Sequence, residues 1–231
     1  MVCQVDVDVL RRTPLLRNLP RQEVEQLAAM MQPRAYRRGE VVFHQGDPGL
    51  SLHLVCHGHL KIVRSSEAGT EAVLAIVGPG DLFGEMALLD GGPRSATVVA
   101  LEPVETAMLQ RTDLLGLLRR SPAAVEGLLA GLVGTIRKAS ESAADLMLLD
   151  QSGRLAKKLV ELADVHGRQT PHQQVEIEIP LTQDDLAAMI GATRTRVNRL
   201  LSRYEAQGII ALGRRRIVIR SSEALRRRAT A

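Results

Sequence analysis

Phe83-Gly84-Glu85-Met86-Ala87-Leu88-Leu89, followed after Asp90-Gly91-Gly92 by Pro93-Arg94-Ser95-Ala96-Thr97, is the stretch from which the rest of the chain can be read. It sets a carboxylate beside a glycine, then a short apolar turn of helix, then an arginine fixed by a proline and flanked by a hydroxyl. Arg94 suits a phosphodiester charge, and Ser95 with nearby backbone N–H groups adds neutral donors. Glu85 suits a ribose 2′-OH as acceptor, and Gly84, lacking a Cβ, lets the backbone approach a ligand closely. Singly, each residue has an ordinary reading: an arginine beside a proline is a solvated surface residue, and Gly-Glu is a turn. Their joint occurrence in one window is what points to a ligand.

The flanks agree. From Tyr36 to Leu109 short β runs recur at Val41-Val42-Phe43, Leu52 to Cys56, Leu60 to Val63, Ala72 to Val77, Ala96 to Leu101 and Val104 to Leu109. Ten of the 19 glycines fall between Gly39 and Gly92, at the breaks between these runs. Short strands punctuated this way predict an antiparallel jelly roll or barrel. The quoted stretch then lies between two later strands, where a helical turn offers N–H groups to an anion. Ahead of the strands, Val7 to Met31 reads as short helices, with Leu15, Leu16, Leu19, Val24, Leu27, Ala28 and Met31 at helical spacing. His53, Cys56, His57 and His59 raise a metal reading, but strand alternation sends His53 and Cys56 to opposite faces, and His57-Gly58 reads as a hairpin turn. A tetrahedral site needs convergence, so the reading is a polar hairpin and no metal.

A chain of 231 residues has room for one large or two modest domains, and 45% hydrophobic with 24% charged residues is ordinary globular material. Aromatics at 2%, with no Trp, argue against base-stacking platforms made of exposed aromatics. The opening residues, with Asp6, Asp8, Arg11 and Arg12, do not resemble a signal peptide, no apolar run reaches membrane-spanning length, and two cysteines do not make a disulfide scaffold. The expectation is a cytoplasmic protein without a membrane partner. The net charge of +4 hides an asymmetry: Arg194 to Arg228 holds eleven arginines against Glu205 and Glu223, so this end carries +9 and the remainder −5. Such a basic end predicts a polyanion partner, DNA or RNA ahead of a membrane surface. No nucleophile–base pair stands out, so there are no candidate catalytic residues and the chain does not read as an enzyme.

Pro122 to Leu149 predicts one long helix. Val125, Leu129, Leu132, Ile136, Ala139, Ala143 and Leu146 follow the alternating 4 and 3 spacing of a coiled-coil seam. Leu128 and Val133 widen the apolar face, so the helix meets a partner copy, its own domain, or both, with a parallel homodimer favoured. The seam shrinks at Ala139 and Ala143, beside Ser140, which leaves either room for a purine base or simply closer helix approach. Leu149-Asp150-Gln151-Ser152-Gly153 reads as a hinge, with Asp150 or Ser152 capping a helix from Arg154 to His166. Gly167 to Gln174 is polar and Val175 to Ile179 reads as a strand. Beyond, Thr182 caps one helix, Ala187 allows close crossing, Gly191 makes the turn, and Thr193 caps a second helix from Arg194 to Ala206 that packs through Val197, Leu200, Leu201 and Tyr204. Its other face presents Arg194, Thr195, Asn198, Arg199 and Arg203, arginines suited to guanine edges or phosphate. Ile209 to Ile219 reads as a β-hairpin wing with Arg214, Arg215 and Arg216 at its tip.

The opening stretch resembles the phosphate-binding cassette of cyclic-nucleotide-binding domains, F-G-E-[LMI]-A-L, a short loop, then P-R-[SA]-A-[ST]. Leu149-Asp150-Gln151-Ser152-Gly153-Arg154-Leu155-Ala156 is similar to the hinge motif L-D-x-[ST]-G-R-[IV]-A, and Thr193 to Arg199 to S-R-E-T-V-x-R. In this order the three resemble, across essentially the whole chain, the family of the cyclic-AMP receptor protein and the fumarate-nitrate regulator. The resemblance implies an α+β protein with a β-jelly-roll domain over residues 1–118, a dimerisation helix over 119–149 and a winged helix-turn-helix domain over 150–231. It implies a regulator with cyclic AMP as effector, ahead of cyclic GMP, double-stranded DNA, a second copy of the chain and RNA polymerase as partners, and no metal. Gly84 and Glu85 would meet ribose with Met86 beside them, Arg94 and Ser95 phosphate, and Ala139-Ser140 adenine. Thr182, Thr193 and the exposed face from Arg194 onward would meet DNA, with Arg194 and Arg199 matching the base-reading arginines. Two positions depart from the family: Thr195 replaces a frequent glutamate, which leaves the half-site open, and Ala139 replaces a frequent threonine, which leaves open cyclic AMP, cyclic GMP or a regulator that binds DNA without nucleotide or senses another ligand. The cysteine cluster of the iron–sulfur branch is absent.

Overall fold

The computed structural model describes residues 7–13, 16, 19–67, 69–172, 174–213 and 216–230. Its contacts divide into two compact units, Met1–Thr70 with Leu74–Ala139, and Glu71–Val73 with Ser140–Ala231. Two four-stranded sheets, whose residues lie in the first unit except for Glu71–Val73, face each other. One has the order β1 (Gln32–Tyr36), β8 (Val104–Gln110), β3 (Ser51–His57), β6 (Leu82–Phe83); the other β2 (Val41–Phe43), β7 (Thr97–Ala100), β4 (Leu60–Ser65), β5 (Glu71–Val77). Val55, Phe83 and Val104 from one sheet meet Leu60, Val77, Val98 and Ala100 from the other. This is the jelly-roll class that the strand spacing predicts.

Strand β3 is covered on both faces, because Leu52 and Leu54 pack outward into a second cluster while Val55 packs into the roll. That outer cluster also takes Leu10 of α1 (Val7–Arg12), Val24 and Leu27 of α2 (Arg21–Met30), Leu88 of α3 (Glu85–Asp90), and Leu114 and Leu117 of α4 (Arg111–Arg120). A strand buried on both sides shows no alternation of apolar and polar residues. His57-Gly58 makes the expected turn into β4: Gly58 has φ +80°, and a Cβ there would lie 2.5 Å from the Pro103 carbonyl oxygen. Strand β1 was not legible as a strand, since Pro33 donates no backbone N–H; it is tolerated because β1 pairs on one side only, with β8.

The long helix α5 (Pro122–Leu148) has two apolar faces. Ala124 and Leu128 are buried in the outer cluster of the roll, whereas Val125, Leu129, Ile136 and Leu146, all seam positions, are exposed, Ile136 by 64%. The described residues include no helix long and apolar enough to cross a membrane. In the second unit, α6 (Gln151–His166) is capped by Asp150, whose Oδ1 accepts from Gly153 N at 2.7 Å. Helix α7 (Gln183–Ile190) and helix α8 (Arg194–Ala206) pack on α6, and Leu155, Leu159, Leu186, Ile190, Val197 and Leu200 of the three are buried. A sheet of order β11 (Ile210–Gly213), β12 (Arg216–Ile219), β10 (Val175–Ile177), β9 (Gly167–Gln169) completes it with α9 (Ser222–Arg228). Strand β9 and helices α4 and α9 were not anticipated from the sequence. Arg214, Arg215 and Leu15 lie outside the described residues.

Candidate ligand and nucleic-acid sites

Gly84 follows β6 in the left-handed region, φ +85°, and α3 starts at the next residue. A Cβ at Gly84 would sit 2.6 Å from Arg94 Nη1, so the residue must be glycine both for its backbone angle and for its neighbour. Arg94 is only 4% exposed. Its Nη1 donates to the Gly84 carbonyl at 2.8 Å, its Nη2 to Ser51 Oγ at 3.0 Å, and its Cζ lies 3.9 Å from the centre of the Phe43 ring. Among the described residues no acid lies within ion-pair distance of it, and Nε is buried with no hydrogen-bond partner. An ionised guanidinium with an unanswered donor is costly to bury, and an anionic oxygen is the group that relieves it. The residues present therefore fit a phosphate.

Glu85 opens α3, and burial pushes its carboxyl above the usual carboxylate range while the Arg94 charge pulls the other way. Ser95 is exposed, and its hydroxyl donates to Met86 Sδ at 3.8 Å; Met86 is itself half exposed. These five cassette residues are brought together. A cavity of about 350 Å³ lined by Gly46, Pro48, Gly49, Gly91, Gly92 and Arg111, among others, touches the cassette at Pro93 without reaching Arg94. Ala139 and Ser140 are exposed on α5.

Sequence reasoning missed what surrounds Arg94. Ser51, His53 and Thr106 form a buried polar chain: His53 Nε2 lies 3.3 Å from Ser51 Oγ and Nδ1 3.2 Å from Thr106 Oγ1. The imidazole stacks on Phe83 at 5.1 Å between centres. Burial first, then the charges of Arg94 and Arg34, push its pKa down to about 3, so the ring is neutral. The spacing of Ser51 and His53, two apart on one strand face, was the available signal. Among the described residues no three His, Cys, Asp or Glu side chains converge on a metal position.

The second site is the outer face of α8. Thr182 caps α7 reciprocally with Asp185: Thr182 Oγ1 accepts from Asp185 N at 3.1 Å while Asp185 Oδ2 accepts from Thr182 N at 2.9 Å. Gly191 makes the turn at φ +62°, and Thr193 caps α8 by accepting from Arg196 N. Burial of Val197, Leu200, Leu201 and Tyr204 turns Arg194, Thr195, Asn198, Arg199 and Arg203 outward, all exposed. Asn198 Oδ1 accepts from Gln183 Nε2 at 3.3 Å, and Arg194 lies 3.3 Å from Asp184 in an exposed pair. Two helices joined by a glycine turn, the second with a basic outer face, form the helix-turn-helix that docks in a major groove.

The hinge is tied on several sides. Arg154 donates from Nη1 to the Leu149 carbonyl at 2.8 Å and from Nε to that of Ile190 at 3.0 Å, so one guanidinium joins the C-terminal ends of α5 and α7. Tyr204 of α8 donates to the Ser152 carbonyl at 2.7 Å.

A jelly roll carrying an arginine-centred anion cassette, followed by a winged helix-turn-helix, defines a DNA-binding transcription regulator with a cyclic-nucleotide-binding domain. Family comparisons agree: the cyclic nucleotide-binding domain matches residues 33–121 and the Crp-like helix-turn-helix domain residues 153–228. The chain is 33% identical over 222 residues, 96% of its length and 99% of the relative's, to the CRP-like cAMP-activated global transcriptional regulator of Mycobacterium tuberculosis. It is 34% identical over 216 residues, 94% of its length and 96% of the relative's, to the cyclic AMP receptor protein of Thermus thermophilus. Among solved structures, Thermus thermophilus catabolite activator protein matches with a TM-score of 0.54 at 34% identity, covering 95% of this chain and 100% of that one. FixK2 from Bradyrhizobium japonicum shares the fold, with a TM-score of 0.78 at 23% identity over 87% of this chain and 98% of its own. The chain belongs to the Crp/Fnr family of transcription regulators.

Proposed function

We propose that this regulator binds DNA as a homodimer in response to cyclic AMP. The observation on which the reading rests is the buried Arg94, held by Gly84 and Ser51 with its Nε donor unanswered. Cyclic AMP is the effector of the relatives described above by their names. In this reading Arg94 and Ser95 meet the cyclic phosphate, Gly84 and Glu85 the ribose with Met86 alongside, and Ala139-Ser140 the base. The exposed seam of α5 meets the same seam of a second copy, and the two α8 helices enter successive major grooves about one DNA turn, ~34 Å, apart. Arg194, Thr195, Asn198 and Arg199 face base edges; Thr182, Thr193, Arg203, Arg214 and Arg215 face the phosphate backbone. The protein works in the cytoplasm, contacts RNA polymerase at its promoters, and catalyses nothing.

Titration calorimetry with cyclic AMP and cyclic GMP tests the effector. Saturable binding of cyclic AMP is expected, and its absence at millimolar nucleotide overturns that part of the reading. The near-complete burial of Arg94 favours one rival, a regulator whose DNA binding needs no nucleotide. Arg94→Ala separates the two: loss of nucleotide-dependent DNA binding supports cyclic AMP control, and unchanged DNA binding supports the rival.

A further inference from the structure

Arg94 reaches Ser51, and Ser51 reaches His53, in a chain whose proton positions are fixed by its ends. A guanidinium only donates, so Ser51 Oγ accepts from Arg94 Nη2 and is free to give its own proton to His53 Nε2, 3.3 Å away. A neutral ring that accepts at Nε2 carries its N–H on Nδ1, which then donates to Thr106 Oγ1 at 3.2 Å. All the donors run one way, from Arg94 through Ser51 and His53 to Thr106, and bonds aligned in this manner polarise one another. The ring that carries the chain through the roll is clamped: it is 3% exposed, stacked on Phe83 with 14° between the planes and tilted against Phe43, whose face also holds Arg94.

We infer that His53, acting through Ser51, is a positioning residue for Arg94: it holds the guanidinium with Nη1 and Nη2 committed to Gly84 and Ser51 and leaves Nε for a phosphate, with no rotamer search. This rests on the reading of the roll as a cyclic nucleotide site and adds to it residues on β3 and β8 outside the cassette. The same geometry explains why His53 is not an apolar residue. A phenylalanine would fill the space between Phe43 and Phe83 equally well, but would leave the Ser51 and Thr106 hydroxyls without their shared partner.

Calorimetry with cyclic AMP on the full chain, alongside thermal melting, tests the inference with four variants. His53→Phe keeps the stack and removes both ring nitrogens; Ser51→Ala removes the middle of the chain; Ser51→Thr keeps a hydroxyl there; the fourth combines His53→Phe with Ser51→Ala. Each of the first two is expected to weaken cyclic AMP binding about 5- to 10-fold, the loss of one hydrogen bond to a charged group's support, and His53→Phe is expected to lower the melting temperature as well, through the hydroxyls it leaves without a partner. The double variant is expected to be no worse than either alone, because both break one chain, and Ser51→Thr is expected to bind nearly as the parent does. Equal affinity in His53→Phe and the parent, or losses that multiply in the double variant, overturn the relay. Should His53→Phe fail to fold, the contrast of Ser51→Ala with Ser51→Thr decides: equal affinity in those two overturns it. A parent protein that takes up no cyclic nucleotide overturns the functional reading and the relay with it, whereas a parent that binds while the variants bind equally well overturns the relay alone.

Discussion

A single torsion angle at Gly84 decides how the anion cassette is built. With φ +85° and Arg94 Nη1 lying 2.6 Å from where a Cβ would be, Gly84→Ala combines backbone strain with displacement of the guanidinium. The expected result is a stability loss of about 1–3 kcal/mol, read by urea denaturation, together with loss of cyclic AMP binding by calorimetry. His53 makes a second demand on the same pocket. Its pKa is about 3 in the fold against 6.5 when exposed, so the folded protein keeps the ring neutral while the unfolded chain takes up a proton below pH 6.5. Stability from this group is therefore complete above about pH 6.5 and is lost as the pH falls toward 3, at about 1.4 kcal/mol per pH unit. Denaturation at pH 7, 5 and 4 checks it: the slope attributable to this residue should vanish in His53→Phe. The cassette itself was readable because its constrained positions are contiguous in sequence. The Thr106–His53 bond was not, since it joins residues 53 apart that only the antiparallel pairing of β3 with β8 brings together.

At the scale of the element, α5 separates two kinds of hydrophobic residue that look alike in sequence. Leu128 is buried in the outer cluster of the roll, and Ile136 is exposed. Leu128→Ala should therefore cost about 2–4 kcal/mol of stability, whereas Ile136→Glu should leave the fold intact and convert a dimer to a monomer in analytical ultracentrifugation. The 4 and 3 spacing picked out exposed Leu129 and Ile136 but also Leu132, which packs against the roll, and it did not tell which face the roll occupies, because Leu128 and Leu129 are neighbours in sequence and only packing tells them apart. Helix α8 was legible to its ends, since Thr193 caps it and the apolar positions are spaced for one face. Strand β1 was not, because Pro33 and a run of exposed residues carry no alternation, and its place is set by pairing with β8 alone.

Over the whole molecule, charge is segregated: Arg194 to Arg228 carries +9 against −5 for the rest. Affinity for DNA should fall steeply with added salt, about 10-fold or more between 50 and 200 mM, in a filter-binding or anisotropy titration. Arg203→Ala should lower affinity for all sequences alike, whereas Arg199→Ala should also relax base preference in a selection from random DNA, the difference between a phosphate contact and a base contact. No sequence pattern could reveal the tie that Arg154 makes between the ends of α5 and α7, because its acceptors are backbone carbonyls, which every residue has.

The scarcity of aromatic residues has an experimental consequence. The chain has no tryptophan and two tyrosines, so emission excited in the tyrosine band, beyond phenylalanine absorption, comes from Tyr36 and Tyr204. One packs against the inner cluster of the roll, and the other is bonded to Ser152 at the hinge. The protein thus carries two native optical probes, one in the roll and one at the hinge. Replacing either tyrosine with phenylalanine would give a label-free record, in real time, of which of them responds first.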